Sequence, residues 1–313
     1  MEPSLANLLE DYLHWLDATG YAAATVRSRR KSLQRFASWA AAEGVTHSSS
    51  LSLRFLEAYQ LLLTQDRKVD GRPLAVGTQA LALTALKRFG KWLVRAGHLP
   101  TDPAEGLLLP RRSLRLPRVV LTASEVERVL AGPDTRRRLG IRDRAILETF
   151  YSTGIRRTEL IQLELGDLET ERGVALIREG KGRRDRVVPV GARALRWIAL
   201  YLAESRPWLV KGADPGLLFL TQRGNRIREN RLSELIRGYI RKADIGKEGS
   251  CHVFRHTMAT LLLENGADIR VVQEILGHAS LATTALYTHV AIGRIKRVHS
   301  ETHPAEQGTG VEV

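Results

Sequence analysis

Residues 102–118 are the segment that most restricts how this chain can fold. The dipeptide DP at 102–103 leads into PRRSLRLPR, which places Arg111, Arg112, Arg115 and Arg118 within eight positions. Prolines at both ends and this density of charge mark the best domain boundary. A chain of 313 residues has room for two domains. The reading is a helical domain over 1–110, a basic linker over 111–118, a second domain over 119–303 and a loosely ordered tail over 304–313. The four linker arginines are expected to track phosphates; the competing reading is a solvated linker that is basic because it stays exposed.

Charge narrows the partner. The chain has 48 basic and 34 acidic side chains and a formal net charge of +14. Residues 1–110 hold 13 basic against 10 acidic groups, so most of the excess falls in the later part. That balance favours a polyanion such as nucleic acid, with an anionic membrane as the plain competitor. No long apolar span or secretory signal is visible, which makes the cytoplasm, in association with the nucleoid, the expected setting. The single cysteine, Cys251, excludes an intrachain disulfide and a cysteine-based metal cluster.

Periodicity predicts helices through most of the chain. In the first part, LLEDYLHWL is apolar on more than one face, and Val26, Leu33, Phe36 and Ala40 recur close to helical spacing; helices follow in SLRFLEAYQLLL and TQALALTALKRFGKWLVRAG. In the second, Thr122 and Glu125 form a capping pattern ahead of a helix. Two helices are expected on either side of the Ser-Thr-Gly turn in IRDRAILETFYSTGIRRTELIQLELGDL. GVALIREGKGRRDRVVPV differs: a short apolar run, a glycine-rich polar tip and a Val187-Val188 return predict a hairpin with Lys181 at or beside its tip. LLFLT reads as a further short strand. Consecutive helices are expected over NRLSELIRGYIRKADIG, HVFRHTMATLLLENG, DIRVVQEILGH and ASLATTALYTHV.

Six side chains, spread over these segments, suit the cleavage of a phosphodiester by a tyrosine. Arg156 and Arg255 are planar cations able to bind nonbridging phosphate oxygens and to stabilise charge in the transition state. Lys181, flanked by Gly180 and Gly182, can approach DNA closely and protonate a departing 5′ oxygen. Its local rival is Arg184, and Arg183, Arg184 and Arg186 read as backbone contacts. His252 lies three residues before Arg255 on one predicted helix and is a candidate acid or base. His256, one turn on, raises the idea of a zinc pair, but HVFRH lacks the metalloprotease glutamate and no thiolate cluster exists. His278 follows a glycine at a predicted helix exit and is placed to donate to a phosphate oxygen. Tyr287 carries a phenol whose ordinary pKa is near 10, so neighbouring cations or a base must activate it.

In order, TGIRRTEL, the GKG around Lys181, HVFRH, LGHASLATTALYTHV and RVHSETHP resemble the tyrosine recombinase or phage integrase family, particularly its Xer-like branch. The resemblance implies a mainly α fold with a small β-hairpin or sheet, in which a helical core-binding domain and a mixed α/β catalytic domain form a DNA clamp. It also implies that Arg156, Lys181, His252, Arg255 and His278 assist attack by Tyr287 on a scissile phosphate. The product is a 3′-phosphotyrosyl bond and a free 5′-hydroxyl; a 5′-hydroxyl of the partner DNA then restores the phosphodiester. The covalent bond retains the energy of the original, so no ATP, divalent metal or other cofactor is expected. The resemblance further implies four protomers, identical or of two related kinds, on two double-stranded recombination sites, exchanging strands through a Holliday junction in chromosome segregation or movement of a mobile element. Arg157 after Arg156, and Phe254 where leucine is frequent, depart from the commonest pattern and leave the six positions intact. A type IB topoisomerase and a noncatalytic architectural DNA-binding protein are the alternatives.

Overall fold

The computed structural model describes residues 3–67, 70–111, 119–178, 185–278 and 284. The chain divides into two compact units, Met1–Leu114 and Arg115–Val313.

The first unit is helical: α1 (Leu5–Ala18), α2 (Ala23–Ala42), α3 (Leu53–Gln65) and α4 (Val76–Arg95). Ser4 and Ser52 start α1 and α3 by accepting from the backbone N–H of Asn7 and Phe55, at 3.2 and 3.3 Å, which satisfies donors that a first helical turn leaves open. Helical spacing sends Val26, Leu33, Phe36 and Ala40 of α2 inward, as expected. Tyr12 packs on Phe89 and Trp92, and Phe36 meets Tyr59 edge to face at 5.1 Å. The stretch after α4 is held to this unit as well. Lys87 Nζ donates to the carbonyls of Glu105 and Leu107, and Gln60 Nε2 to that of Leu108.

The second unit begins, among the described residues, with α5 (Ala123–Leu130), α6 (Arg138–Thr153) and the single turn α7 (Arg157–Leu160). Thr122 and Glu125 form the expected capping box, Glu125 N donating to Thr122 Oγ1 and Thr122 N to the Glu125 carboxylate. The Ser-Thr-Gly turn is less than expected: Ser152 and Thr153 stay in α6, and only Gly154 leaves it. A three-stranded antiparallel sheet follows, β1 (Leu168–Glu169), β2 (Val174–Ile177) and β3 (Arg186–Pro189). β2 and β3 are the hairpin read from the sequence, paired from Val174 with Pro189 to Ile177 with Arg186; β1 is an addition too short to leave a period.

Helices α8 (Ala192–Leu200) and α9 (Arg206–Leu209) are joined by a π-helical turn at Tyr201–Ser205. Three more follow among the described residues: α10 (Glu229–Lys242), α11 (Cys251–Glu264) and α12 (Ile269–Leu276). LLFLT is not a ladder strand. It makes only isolated bridges, Leu217 with Glu164 and Leu220 with Arg226. Leu218, Phe219 and Leu220 are buried, and backbone and side chains share the work of a neighbouring strand: the Leu218 N–H donates to the Leu163 carbonyl and the Thr221 N–H to that of Asn225, while Arg206 donates to the Leu217 carbonyl, Arg142 to that of Leu220, and the Leu220 N–H to Tyr201 Oη. No helix among the described residues is long and apolar enough to cross a membrane.

Candidate active site

The site forms where α6, α7, α11 and α12 end or begin. α6 stops at Gly154, whose φ of +58° is left-handed; the conformation favours glycine, and a Cβ there would lie 2.1 Å from Met258 Cε and displace that methyl. The next turn places Arg156 at the start of α7. Its backbone N–H donates to the Glu159 carboxylate at 2.7 Å, and its Nη1 to the other oxygen of that carboxylate at 2.6 Å.

α11 carries Arg255 inward. Only 5% of Arg255 is exposed; its Nη1 donates to the Gly154 carbonyl at 2.7 Å and its Nη2 to the Leu276 carbonyl at 2.6 Å. α12 ends at Gly277, again left-handed at φ +62°. Its last carbonyls have no helical partner, and three arginines from three elements take them in turn. Arg186 Nε donates to Ile275, Arg255 to Leu276 and Arg156 Nη2 to Gly277. The partial negative charge of a helix C-terminus suits this role. The end of α12 therefore brings together two guanidiniums that lie 99 positions apart in sequence.

His278 follows immediately. Its Nε2 lies 2.9 Å from Arg255 Nη2, and its Nδ1 lies 2.8 Å from Thr284 Oγ1. Arginine only donates, so Nε2 is the acceptor and the ring proton sits on Nδ1, facing the threonine hydroxyl. His252, in the first turn of α11, is exposed. Packing around its ring, then the charges of Arg255, Arg157 and Arg156, lowers its pKa, leaving a neutral imidazole able to accept a proton at pH 7. His256 is lowered further, to about 4, by burial and by His252 and Arg255. The described residues hold no group of three metal-binding side chains.

The structure thus unites Arg156, Arg255 and His278, with His252 on the same helix as Arg255. Lys181, Arg183, Arg184 and Tyr287 lie outside the described residues, as do the linker residues Arg112, Arg115 and Arg118 and the tail. Arg111 is exposed. Arg186 corrects the sequence reading, which gave it a surface contact with the DNA backbone. Its side chain is 11% exposed, and Nη1 and Nη2 bind the two oxygens of Glu159 at 3.0 and 2.8 Å. The period of a strand holds the reason: Arg186 shares a face with fully buried Val188, while Val187 points outward.

Glu159 is the group that sequence reasoning missed. Burial pushes its carboxyl up, but Arg186 and Arg156 outweigh that effect and hold it down to about 2. The signal for it was its place three residues after Arg156, the spacing of a cap partner. Arg157 points elsewhere, into α10, where it binds Ser233 Oγ and the Glu229 carboxylate.

Two largely buried guanidiniums and a histidine held by one of them converge on the end of α12, with the neutral imidazole of His252 on the same helix as Arg255; cations and a proton acceptor in such an arrangement suit an anion. Residues 119–294 match the phage integrase family. Tyrosine recombinase XerC 2 of Ralstonia nicotianae is 45% identical over 96% of this chain and 86% of its own length. Tyrosine recombinase XerD of Lacticaseibacillus casei is 35% identical over 95% of this chain and 98% of its own. The crystal structure of XerH site-specific recombinase bound to palindromic difH substrate, in a post-cleavage complex, shares the fold with a TM-score of 0.72 at 23% identity, over 93% of this chain and 83% of that one. With its ordered motifs, this cluster of arginines and these relatives in agreement, the chain belongs to the phage integrase family of tyrosine recombinases, in the Xer branch.

Proposed function

We infer that this chain is a site-specific DNA recombinase that cleaves and rejoins strands through a 3′-phosphotyrosyl intermediate. The observation that carries the reading is the convergence of Arg156, Arg255 and His278 on the end of α12, followed nine residues later by Tyr287. The two guanidiniums hold the nonbridging oxygens of the scissile phosphate and stabilise the charge that builds on them. Tyr287 Oη attacks phosphorus, and the bond to the 5′ oxygen breaks. Lys181 protonates that oxygen, and neutral His252 accepts the phenol proton. Attack by the 5′-hydroxyl of the second duplex reverses the step and releases the tyrosine. Residues 1–110 serve as a core-binding domain and 119–303 as the catalytic domain, closing on double-stranded DNA as a clamp. Arg111, Arg112, Arg115, Arg118, Arg183 and Arg184 contact its backbone. Four protomers act on two sites through a Holliday junction, in the cytoplasm at the nucleoid.

Covalent trapping tests this directly. Wild type and Tyr287→Phe are incubated with a pool of nicked genomic duplexes and denatured, and the DNA retained on protein is sequenced. Recovery of one discrete site by wild type alone is expected. Equal recovery by Tyr287→Phe would remove Tyr287 as the nucleophile, and relaxation of a supercoiled circle lacking any such site would favour a topoisomerase.

A further inference from the structure

Arg186 occupies the first position of β3, opposite Ile177, at the base of the hairpin whose connecting segment contains Lys181. Its side chain joins three elements. Both terminal nitrogens bind Glu159 of α7, and Nε donates to the Ile275 carbonyl of α12. Glu159 in turn binds Arg156 through its backbone and its guanidinium, and the next part of α12 receives both Arg156 and Arg255. The approach to α12 is close. A Cβ on Gly277 would lie 2.9 to 3.2 Å from Cδ, Nε and Cζ of Arg186, so the side chain rests on bare backbone.

We propose that Arg186 is a positioning residue for strand cleavage, which locks Glu159 and the end of α12 so that Arg156 is held at the phosphate, and which ties that cluster to the hairpin carrying Lys181. The proposal rests on the recombinase reading. Two features favour it over a contact with the DNA backbone: the side chain is 11% exposed, and three nitrogens are engaged with protein groups. There is also an electrostatic consequence. Arg186 shares the charge of Glu159; without it that carboxylate would rest on Arg156 alone and offset the positive field Arg156 offers a phosphate. Lysine is no substitute, because a single ammonium cannot span both carboxylate oxygens and a carbonyl in the fork geometry of a guanidinium.

The test uses full-length Arg186→Gln and Arg186→Lys on a nicked duplex carrying the site captured by wild type. Single-turnover cleavage is followed at saturating DNA, and affinity is measured across a salt series. Displacement of a positioned group is expected to slow the cleavage rate constant about 100-fold in Arg186→Gln, with burst amplitude and affinity preserved and Arg186→Lys intermediate. A purely structural role would instead lower the amplitude, because fewer molecules would be folded, and leave the rate constant of the active fraction intact; that result overturns the proposal. So does a salt slope reduced by about 0.9, the signature of one lost phosphate contact, with cleavage at saturation unchanged. Should Arg186→Gln fail to fold, Arg186→Lys decides alone, and a wild-type rate constant in it refutes the proposal. Absence of covalent capture by wild type would instead overturn the recombinase reading, and the proposal with it.

Discussion

Replacing Gly154 by alanine perturbs the site through two separable effects, and the structure supplies a control for one of them. The residue sits at φ +58°, and its new Cβ would meet Met258 Cε at 2.1 Å and Leu276 Cδ2 at 3.2 Å. Left-handed backbone costs a non-glycine residue about 1–2 kcal/mol. Relieving the overlap requires the end of the Met258 side chain, which is 5% exposed, to swing aside among its neighbours, and overpacking of this kind costs about 1–3 kcal/mol more. Gly212 has a similar φ of +78° with nothing within 4 Å, so Gly212→Ala carries the first effect alone. For a unit of this size each kcal/mol moves the melting temperature by roughly 2–4 °C. Gly154→Ala is therefore expected to melt about 4–20 °C below wild type by calorimetry, and Gly212→Ala about 2–8 °C below. Cleavage separates them too. The Gly154 carbonyl is an acceptor for Arg255, so Gly154→Ala slows strand cleavage at a temperature where both variants are folded, and Gly212→Ala does not. Equal melting shifts in the two variants would refute the close-packing argument, and unchanged cleavage in Gly154→Ala would refute the link from this carbonyl to Arg255.

Two further outcomes follow from the same cluster. The carboxyl of Glu159 is lowered from 4.5 to about 2 in the folded chain, so its contribution, on the order of 3 kcal/mol, is fully present above pH 4.5 and is lost as pH falls toward 2. Glu159→Gln is expected to flatten that acid limb in urea midpoints measured from pH 6 to 3, and an unchanged limb would show that other carboxylates carry it. Lys181→Ala is expected to slow cleavage while keeping DNA affinity, and a substrate with an activated 5′ leaving group should restore the rate; no restoration in a folded, binding-competent variant would assign Lys181 to positioning instead.

The helices that fall on described residues and the pairing of β2 with β3 were legible because their signals are local; the helix expected over ASLATTALYTHV lies, apart from Thr284, outside the described residues. Thr122 with Glu125, and the inward set Val26, Leu33, Phe36 and Ala40, each announce themselves within a few turns. LLFLT was misread for the opposite reason. Its apolar run resembles a strand, but its backbone is satisfied piecemeal, by the Leu163 and Asn225 carbonyls and by the side chains of Arg142, Arg206 and Tyr201, and no periodicity encodes these partners. The site shows the same limit. Arg156, Arg255 and His278 could be named from their types and order, whereas the use of α12 carbonyls to hold them could not. Arg186 was the informative error: among three neighbouring arginines, composition made it a surface cation, while the alternation with Val188 already placed it inside.

The burial of these cations raises a physical question, since Arg156 and Arg186 share one carboxylate, Glu159, and Arg255 joins them at the end of α12. Like charges in a poorly hydrated site oppose folding, and a second carboxylate would relieve them at the expense of the field a phosphate needs. The end of α12 resolves the conflict. Carbonyl dipoles accept from all three guanidiniums, at Ile275, Leu276 and Gly277, so the protein solvates the cluster through backbone oxygen as well as through the charge of Glu159. A helix terminus supplies only partial negative charge, which leaves the cluster net positive. This arrangement explains why the two glycines matter to the chemistry: Gly154 and Gly277 turn the chain so that backbone oxygen, rather than a side chain, faces the arginines. An acidic residue introduced at this helix end would hold the cations as firmly, and it would cancel the charge that makes them useful to a phosphate in the transition state.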